Sequence, residues 1–276
     1  MKLLVMFGSK SDANIYEPLK ELLKADGHEI DFRMISVHRS PELLDRELAS
    51  LKVDAIVAGA GLAAHLPGVL ASKLLVPVLG IPCSAAIGGV DSLFAMMQMP
   101  FGIPVLCTSI DNTTAAANFL QRWASMDLRY SSDVFTIVMD KKYRKLPHSV
   151  ELLERAGKIA EKNKFDLSLV EKPVDGVVNI CPLEINLKDP EEALPFPPPS
   201  KSAKEVRIYV PSVSAEAYRD PASAIAVFKR IQSVDAGVWM GINNIGNAML
   251  AALQLANAGG SFSSFLTNAK KGYLHA

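Results

Sequence analysis

The chain has 276 residues, 49% of them hydrophobic, and its 29 lysines and arginines balance 29 aspartates and glutamates. That length can bury one large or two smaller cores, while zero formal charge lacks the basic surface that a phosphate backbone requires, so no nucleic-acid partner is expected. No apolar run approaches the roughly 20 residues of a membrane span, and Met1 to Phe7 reads as a strand running into Gly8, not a cleavable leader. A cytoplasmic protein without membrane association is expected.

In chain order, Leu3–Phe7 is a compact apolar run ended by Gly-Ser-Lys-Ser-Asp, and the leucines after Tyr16 fall at helical spacing until Gly27. Ile30–Ile35 predicts a second strand, ended by Ser-Val-His-Arg, and Pro41–Leu51 a second helix with proline in its first turn. Asp54–Ala58 is continuously apolar, the mark of a strand buried on both faces, and a glycine-alanine loop and small-residue helix follow. Val76–Ile81, Asp91–Gln98, Val105–Ser109 and Thr114–Met126 complete a strand-helix alternation, which implies a parallel, doubly wound sheet in a three-layer αβα fold of flavodoxin-like type.

In such a sheet, chemistry belongs at the carboxyl ends of the strands. Ser9, Ser11 and Asp12 follow the first strand, Ser36, His38 and Arg39 the second, and the Gly59 to His65 stretch the third. Ser9, Ser11 and Asp12 can cap the next helix, and the same geometry suits a phosphate, with Asp12 on ribose hydroxyls. A lone histidine is more often surface or packing than catalyst, yet its ordinary titration range suits proton transfer near neutrality. Arg39 offers a planar fork for phosphate or carboxylate, against the plainer reading of a solvated ion-pair partner. Cys83, Cys107 and Cys181 are odd in number and widely spaced, so buried free thiols are expected instead of disulfides or a zinc site.

Gly59-Ala-Gly-Leu-Ala-Ala64 formally matches a dinucleotide fingerprint. That motif needs an acidic residue about 20 positions further on, after the first strand of its unit. Here the motif follows the third strand, and no acidic residue occurs between Asp54 and Asp91, so an oxidoreductase is the weakest of the readings.

Together, Gly8-Ser-Lys-Ser-Asp12, Ser36-Val-His-Arg39, Ala58-Gly-Ala-Gly-Leu-Ala-Ala-His-Leu-Pro-Gly68 and the stretch from Gly89-Val-Asp-Ser-Leu to Gln98-Met-Pro-x-Gly-Ile-Pro-Val105 resemble the PurE-type enzymes of purine synthesis, over about residues 1–126. The His-Leu-Pro-Gly form resembles the branch that isomerises N5-carboxyaminoimidazole ribonucleotide to 4-carboxyaminoimidazole ribonucleotide. The other branch carboxylates aminoimidazole ribonucleotide directly with CO2. The resemblance implies no metal and no organic cofactor. It implies that His38 moves the carbon 4 proton, that Ser9, Asp12 and Arg39 hold the ribose phosphate end, that the backbone of Ala60, Gly61 and Leu62 with His65 shapes the CO2 and imidazole pocket, and that Gly8, Ser11, Ser36 and Leu66 also belong to the substrate site. Val37 stands where alanine is usual and Leu62 where a small residue is common, so Leu62 is a candidate to narrow the site.

The second half repeats the alternation in Val134–Asp140, Ser149–Asn163, Leu167–Val170 and Val177–Ile180. Further on, Ile208–Val213, Pro221–Ile231, Gly237 to Ile242 and Asn247 onward can be laid over Val78–Ser84, Val90–Met99, Gly102–Ile110 and Asn118 onward. The chain therefore reads as two tandem copies, a catalytic one over residues 1–130 and a degenerate, non-catalytic one over 131–276. Asp140-Lys-Lys-Tyr-Arg, Glu171-Lys-Pro and the proline run Leu194 to Ser200 replace the three chemical loops. The resemblance implies assembly as a homo-oligomer: PurE-type single domains form octamers, so four fused chains would make a pseudo-octamer, and a full octamer is the alternative. Lys141, Lys142 and Arg144 are a candidate regulatory-anion cluster. A mutase or carboxylase leads as the function, with a non-catalytic nucleotide-binding regulator second.

Overall fold

Strands buried on both faces have no polar side to turn to water, so the apolar runs of the first half assemble into an all-parallel sheet covered by helices. In the computed structural model, which describes residues 1–126, 133–189, 192–234, 237–257 and 260–274, β1 is Lys2–Phe7, β2 Glu29–Met34, β3 Ala55–Ala60, β4 Val78–Pro82 and β5 Leu106–Cys107. Their order is β2-β1-β3-β4-β5. The helices are α1 (Ala13–Ala25), α2 (Pro41–Leu48), α3 (Leu66–Lys73), α4 (Val90–Met97) and α5 (Thr113–Ala124). The predicted second helix overruns by three residues because Ala49 and Leu51 already bond back to Arg46 and Leu48, tightening the chain out of the α-helix.

The second half contributes β6 (Val134–Val138), α6 (Pro147–Lys162), β7 (Asp166–Val170), β8 (Val178–Glu184), β9 (Val206–Ser212), α7 (Ala215–Arg219), α8 (Pro221–Gln232), α9 (Ile245–Ala256) and α10 (Ser263–Leu274). Its sheet runs β7-β6-β8-β9, all parallel, repeating the winding of β2-β1-β3-β4. The fold is thus a three-layer αβα, flavodoxin-like doubly wound architecture in two tandem copies. The second copy simplifies it: among the described residues no helix links β7 to β8 or β8 to β9. An extended proline-rich strap lies there instead, held by the Tyr209 hydroxyl donating to Phe196 O (2.8 Å) and Arg122 to Pro199 O (3.2 Å). The short α7 and the terminal α10 were not foreseen from the pattern.

Where the two sheets meet, Cys107 of β5 pairs antiparallel with Trp239, exchanging N–H to O bonds of 2.8 and 2.7 Å, and Trp239 pairs parallel with Tyr209 of β9. An antiparallel pair at the junction of two parallel sheets is a local pseudo-dyad, and side chains repeat across it. Gln98 Oε1 accepts from the Ile242 N–H and Gln232 Oε1 from the Ile110 N–H, each at 2.9 Å. Asp111 and Asn243 hold left-handed backbone (φ 56° and 55°) and accept from Ser84 and Val213 N–H at 2.8 and 3.0 Å. Asn112 and Asn244 cap α5 and α9. Asn244 therefore overlays Asn112, and Asn247 falls on Ala115, three residues away from the overlay read in the sequence. Two apolar layers run across both copies, one under α1, α5, α6 and α9, the other under α2, α3, α4 and α8.

Candidate functional site

Because β1 lies between β2 and β3, the loops after these three strands converge where the strand order reverses, the place where open α/β sheets take ligands. They enclose a cleft of about 300 Å3. Gly8, Ser9, Ser11, Asp12, Ser36, His38, Arg39, Ala60, Gly61, Leu62 and Leu66 all line it. His65 joins through a 2.9 Å contact between its Nδ1 and His38 Nε2, one ring nitrogen donating and the other accepting according to tautomer. The rings meet edge to face with centroids 5.0 Å apart. Ala63, held at φ 47°, bends the β3 loop so that His65 turns towards His38; left-handed backbone in a non-glycine residue is a local strain of about 1 to 2 kcal/mol.

The capping alternative is half realised. Ser9 Oγ caps the short turn Lys10–Asp12, accepting from Ser11 N–H at 3.2 Å, and it shares a 2.8 Å hydroxyl–hydroxyl contact with Ser11 Oγ. Asp12 stands at the N-cap of α1 yet makes no capping bond, which leaves its carboxylate facing the cleft. Burial pushes the Asp12 carboxyl above its usual range, the nearby Asp111 adds to the rise, and a 3.1 Å bond from Ser11 Oγ opposes it. The Arg39 guanidinium touches Gly8 O at 3.4 Å, and no carboxylate lies within ion-pair distance of it among the described residues, so the solvated ion-pair reading is not met.

Gly61 is required by close approach, since a Cβ there would stand 2.9 Å from Ala85 Cβ. Gly59 lies inside β3, paired with Phe7, instead of opening a phosphate turn, which removes the remaining geometric basis for a dinucleotide fingerprint. Leu62 is 67% exposed, so its side chain sits on the rim and does not narrow the interior. Sequence reading did not single out Ala85, which lines the cleft, or Asp111, which acts on Asp12; Gly88-Gly89 after β4, both at positive φ, was the available signal for a tight loop there. The three cysteines are free and buried, and burial pushes their thiols up, away from reactive thiolate. Among the described residues no group of three or more His, Cys, Asp or Glu could hold a metal ion, and no helix is long and apolar enough to cross a membrane.

The Asp111 N–H of the first copy donates to Pro82 O as the Asn243 N–H of the second donates to Pro211 O, which matches β4 with β9. Ala60 faces Pro82, and Leu183 faces Pro211, so Glu184 stands in the register of Gly61. Its carboxylate is hydrogen-bonded to His148 of α6. A charged side chain thus stands where the first copy needs none, and the proline run lies further along than the simple loop exchange suggested. The Lys141, Lys142 and Arg144 cluster is consumed internally: Lys141 pairs with Glu171 at 2.6 Å, Lys142 sits over the Tyr143 ring, and Arg144 donates to Met139 O and Val170 O.

A doubly wound α/β protein with a polar small-molecule cleft at its switch point is the class these features define. The model of the AIR carboxylase family matches residues 2–136. The N5-carboxyaminoimidazole ribonucleotide mutase of Methanocaldococcus jannaschii is 44% identical over 113 residues, 41% of this chain and 72% of that protein. The Pyrococcus horikoshii protein of the same name is 34% identical over 157 residues, 55% of this chain and 89% of the relative. A solved variant of Treponema denticola PurE2 is similar at 20% identity and a TM-score of 0.40, over 59% of this chain and 96% of that one. By the sequence comparisons, the chain belongs to the AIR carboxylase family.

Proposed function

We propose that the protein is a purine-synthesis mutase, converting N5-carboxyaminoimidazole ribonucleotide to 4-carboxyaminoimidazole ribonucleotide at the cleft around His38. The observation that carries this reading is the His38 to His65 contact at 2.9 Å, in a cleft rimmed by Ser9, Ser11, Asp12 and Arg39. The carbamate N–C bond breaks, releasing CO2 into the cleft as the amine nitrogen takes a proton. Carbon 4 of the imidazole then attacks CO2, and His38 removes the carbon 4 proton to restore aromaticity, so protons balance over the cycle. Ser9, Ser11, Ser36, Asp12 and Arg39, with the Gly8 backbone, bind the ribose phosphate. Ala60, Gly61, Leu62, His65 and Leu66 contain CO2 and the ring, so that catalysis is largely positioning.

Replacing His38 by asparagine keeps size and polarity and removes proton transfer. His38→Asn is expected to lower kcat by about 10²-fold or more while leaving nucleotide affinity nearly unchanged; retention of a tenth of the activity would overturn the assignment. Supplying the N5-carboxylated nucleotide and aminoimidazole ribonucleotide separately, with and without bicarbonate, distinguishes a mutase from a direct carboxylase, and no turnover of either would leave a nucleotide-binding regulator.

Residues 1–130 form the catalytic unit in this proposal and 131–276 the non-catalytic one; the boundary itself lies outside the described residues. The second copy would fill half the positions of an octamer-like assembly. Four chains of 29.8 kDa should then sediment at about 120 kDa, and about 240 kDa would indicate eight chains instead.

A further inference from the structure

A charged concavity at the strand ends of the second copy is not the basic loop but a cleft of about 520 Å3 at the ends of β8 and β9, walled by α6, α7 and the 98–101 loop of the first copy. By the pseudo-dyad it is the counterpart of the catalytic side of the first copy: the first turn of α6 replaces that of α1, and Asn243 replaces Asp111. Its chemistry differs. His148 and Glu184, with side chains only 11% and 23% exposed, are tied to each other, so neither is left to do work on a ligand. Two cations remain. Arg155 stands 5.8 Å over the Phe101 ring, and Arg219 closes the end of α7; among the described residues no carboxylate lies within ion-pair distance of either.

We propose that this cleft binds a ribonucleoside 5′-monophosphate without turning it over. Two unpaired guanidinium groups suit a doubly charged phosphate. The exposed Glu151 carboxylate, which has no hydrogen-bond partner among the described residues, is an acceptor for ribose hydroxyls. The 56% exposed Tyr218 gives apolar surface for a planar base. The volume falls within the about 300 to 1,000 Å3 usual for small-molecule sites. This site does not depend on the reaction at His38.

Calorimetric titration of the full chain with AMP, GMP and UMP, and with inorganic phosphate as a separate probe, tests it. Wild type and Arg39→Ala should both bind a nucleotide at the second site, and the doubly substituted Arg155→Ala, Arg219→Ala chain should bind it about tenfold or more weakly, with an unchanged circular dichroism spectrum. Both arginines are exposed, so the substitutions spare the core. Nucleotide binding that vanishes in Arg39→Ala, or that is unchanged in the double variant, overturns the proposal by returning all binding to the first cleft. Phosphate binding as tightly as the nucleotides overturns the ligand class, and absence of saturation up to about 5 mM overturns the site.

Discussion

Asp12 sits at a helix N-terminus, a place that ordinarily favours a carboxylate, yet burial and Asp111 together push its carboxyl up. A carboxyl raised on folding favours the folded state in its protonated form. Its contribution is present below the ordinary carboxylate range and is lost as pH rises through the raised value. At neutral pH, ionised Asp12 therefore opposes folding. Asp12→Asn should melt above wild type at pH 7, by a margin that shrinks towards about pH 3, and should bind substrate more weakly; a lower melting temperature at pH 7 would contradict the burial argument. Gly61 and Glu184 make the complementary point, since the same register holds a bare backbone in one copy and a carboxylate in the other.

The loop between α4 and β5 is pinned by a side chain from a distant helix. Asn247 of α9 is fully buried, accepts from Gly102 N–H at 2.9 Å and donates to Pro100 O at 2.9 Å. Removing it leaves a buried N–H without a partner, a loss of about 1 to 3 kcal/mol. Asn247→Ala should lower the urea midpoint with an unchanged slope, and a midpoint within error of wild type would mean that the loop finds another partner. Lys270 of α10 plays a similar role at the end of α3, donating to Ala71 O and Leu74 O, with burial holding its amine down at about 8. Neither contact has a pattern in sequence, because each joins residues more than a hundred positions apart.

Trp239 is fully buried and joins both sheets, its ring 5.2 Å from that of Tyr209. With two apolar layers continuous across the junction, the copies should unfold as one cooperative unit. Trp239→Ala should destabilise by about 3 to 5 kcal/mol, and calorimetry should show one transition in wild type; two resolved transitions in wild type would refute the shared core. The element order of the first copy, the cleft residues from three strand ends and the existence of a second copy were all legible in the sequence, because continuous apolar runs, helical spacing and strand-end polar residues are local signals. The pairing of Cys107 with Trp239, the reciprocal Gln98 and Gln232 bonds, the arrival of Glu184 in the place of Gly61 and the cleft beside Arg155 were decided only by tertiary structure. They depend on register and on contacts between distant segments, which no periodicity within a single segment encodes.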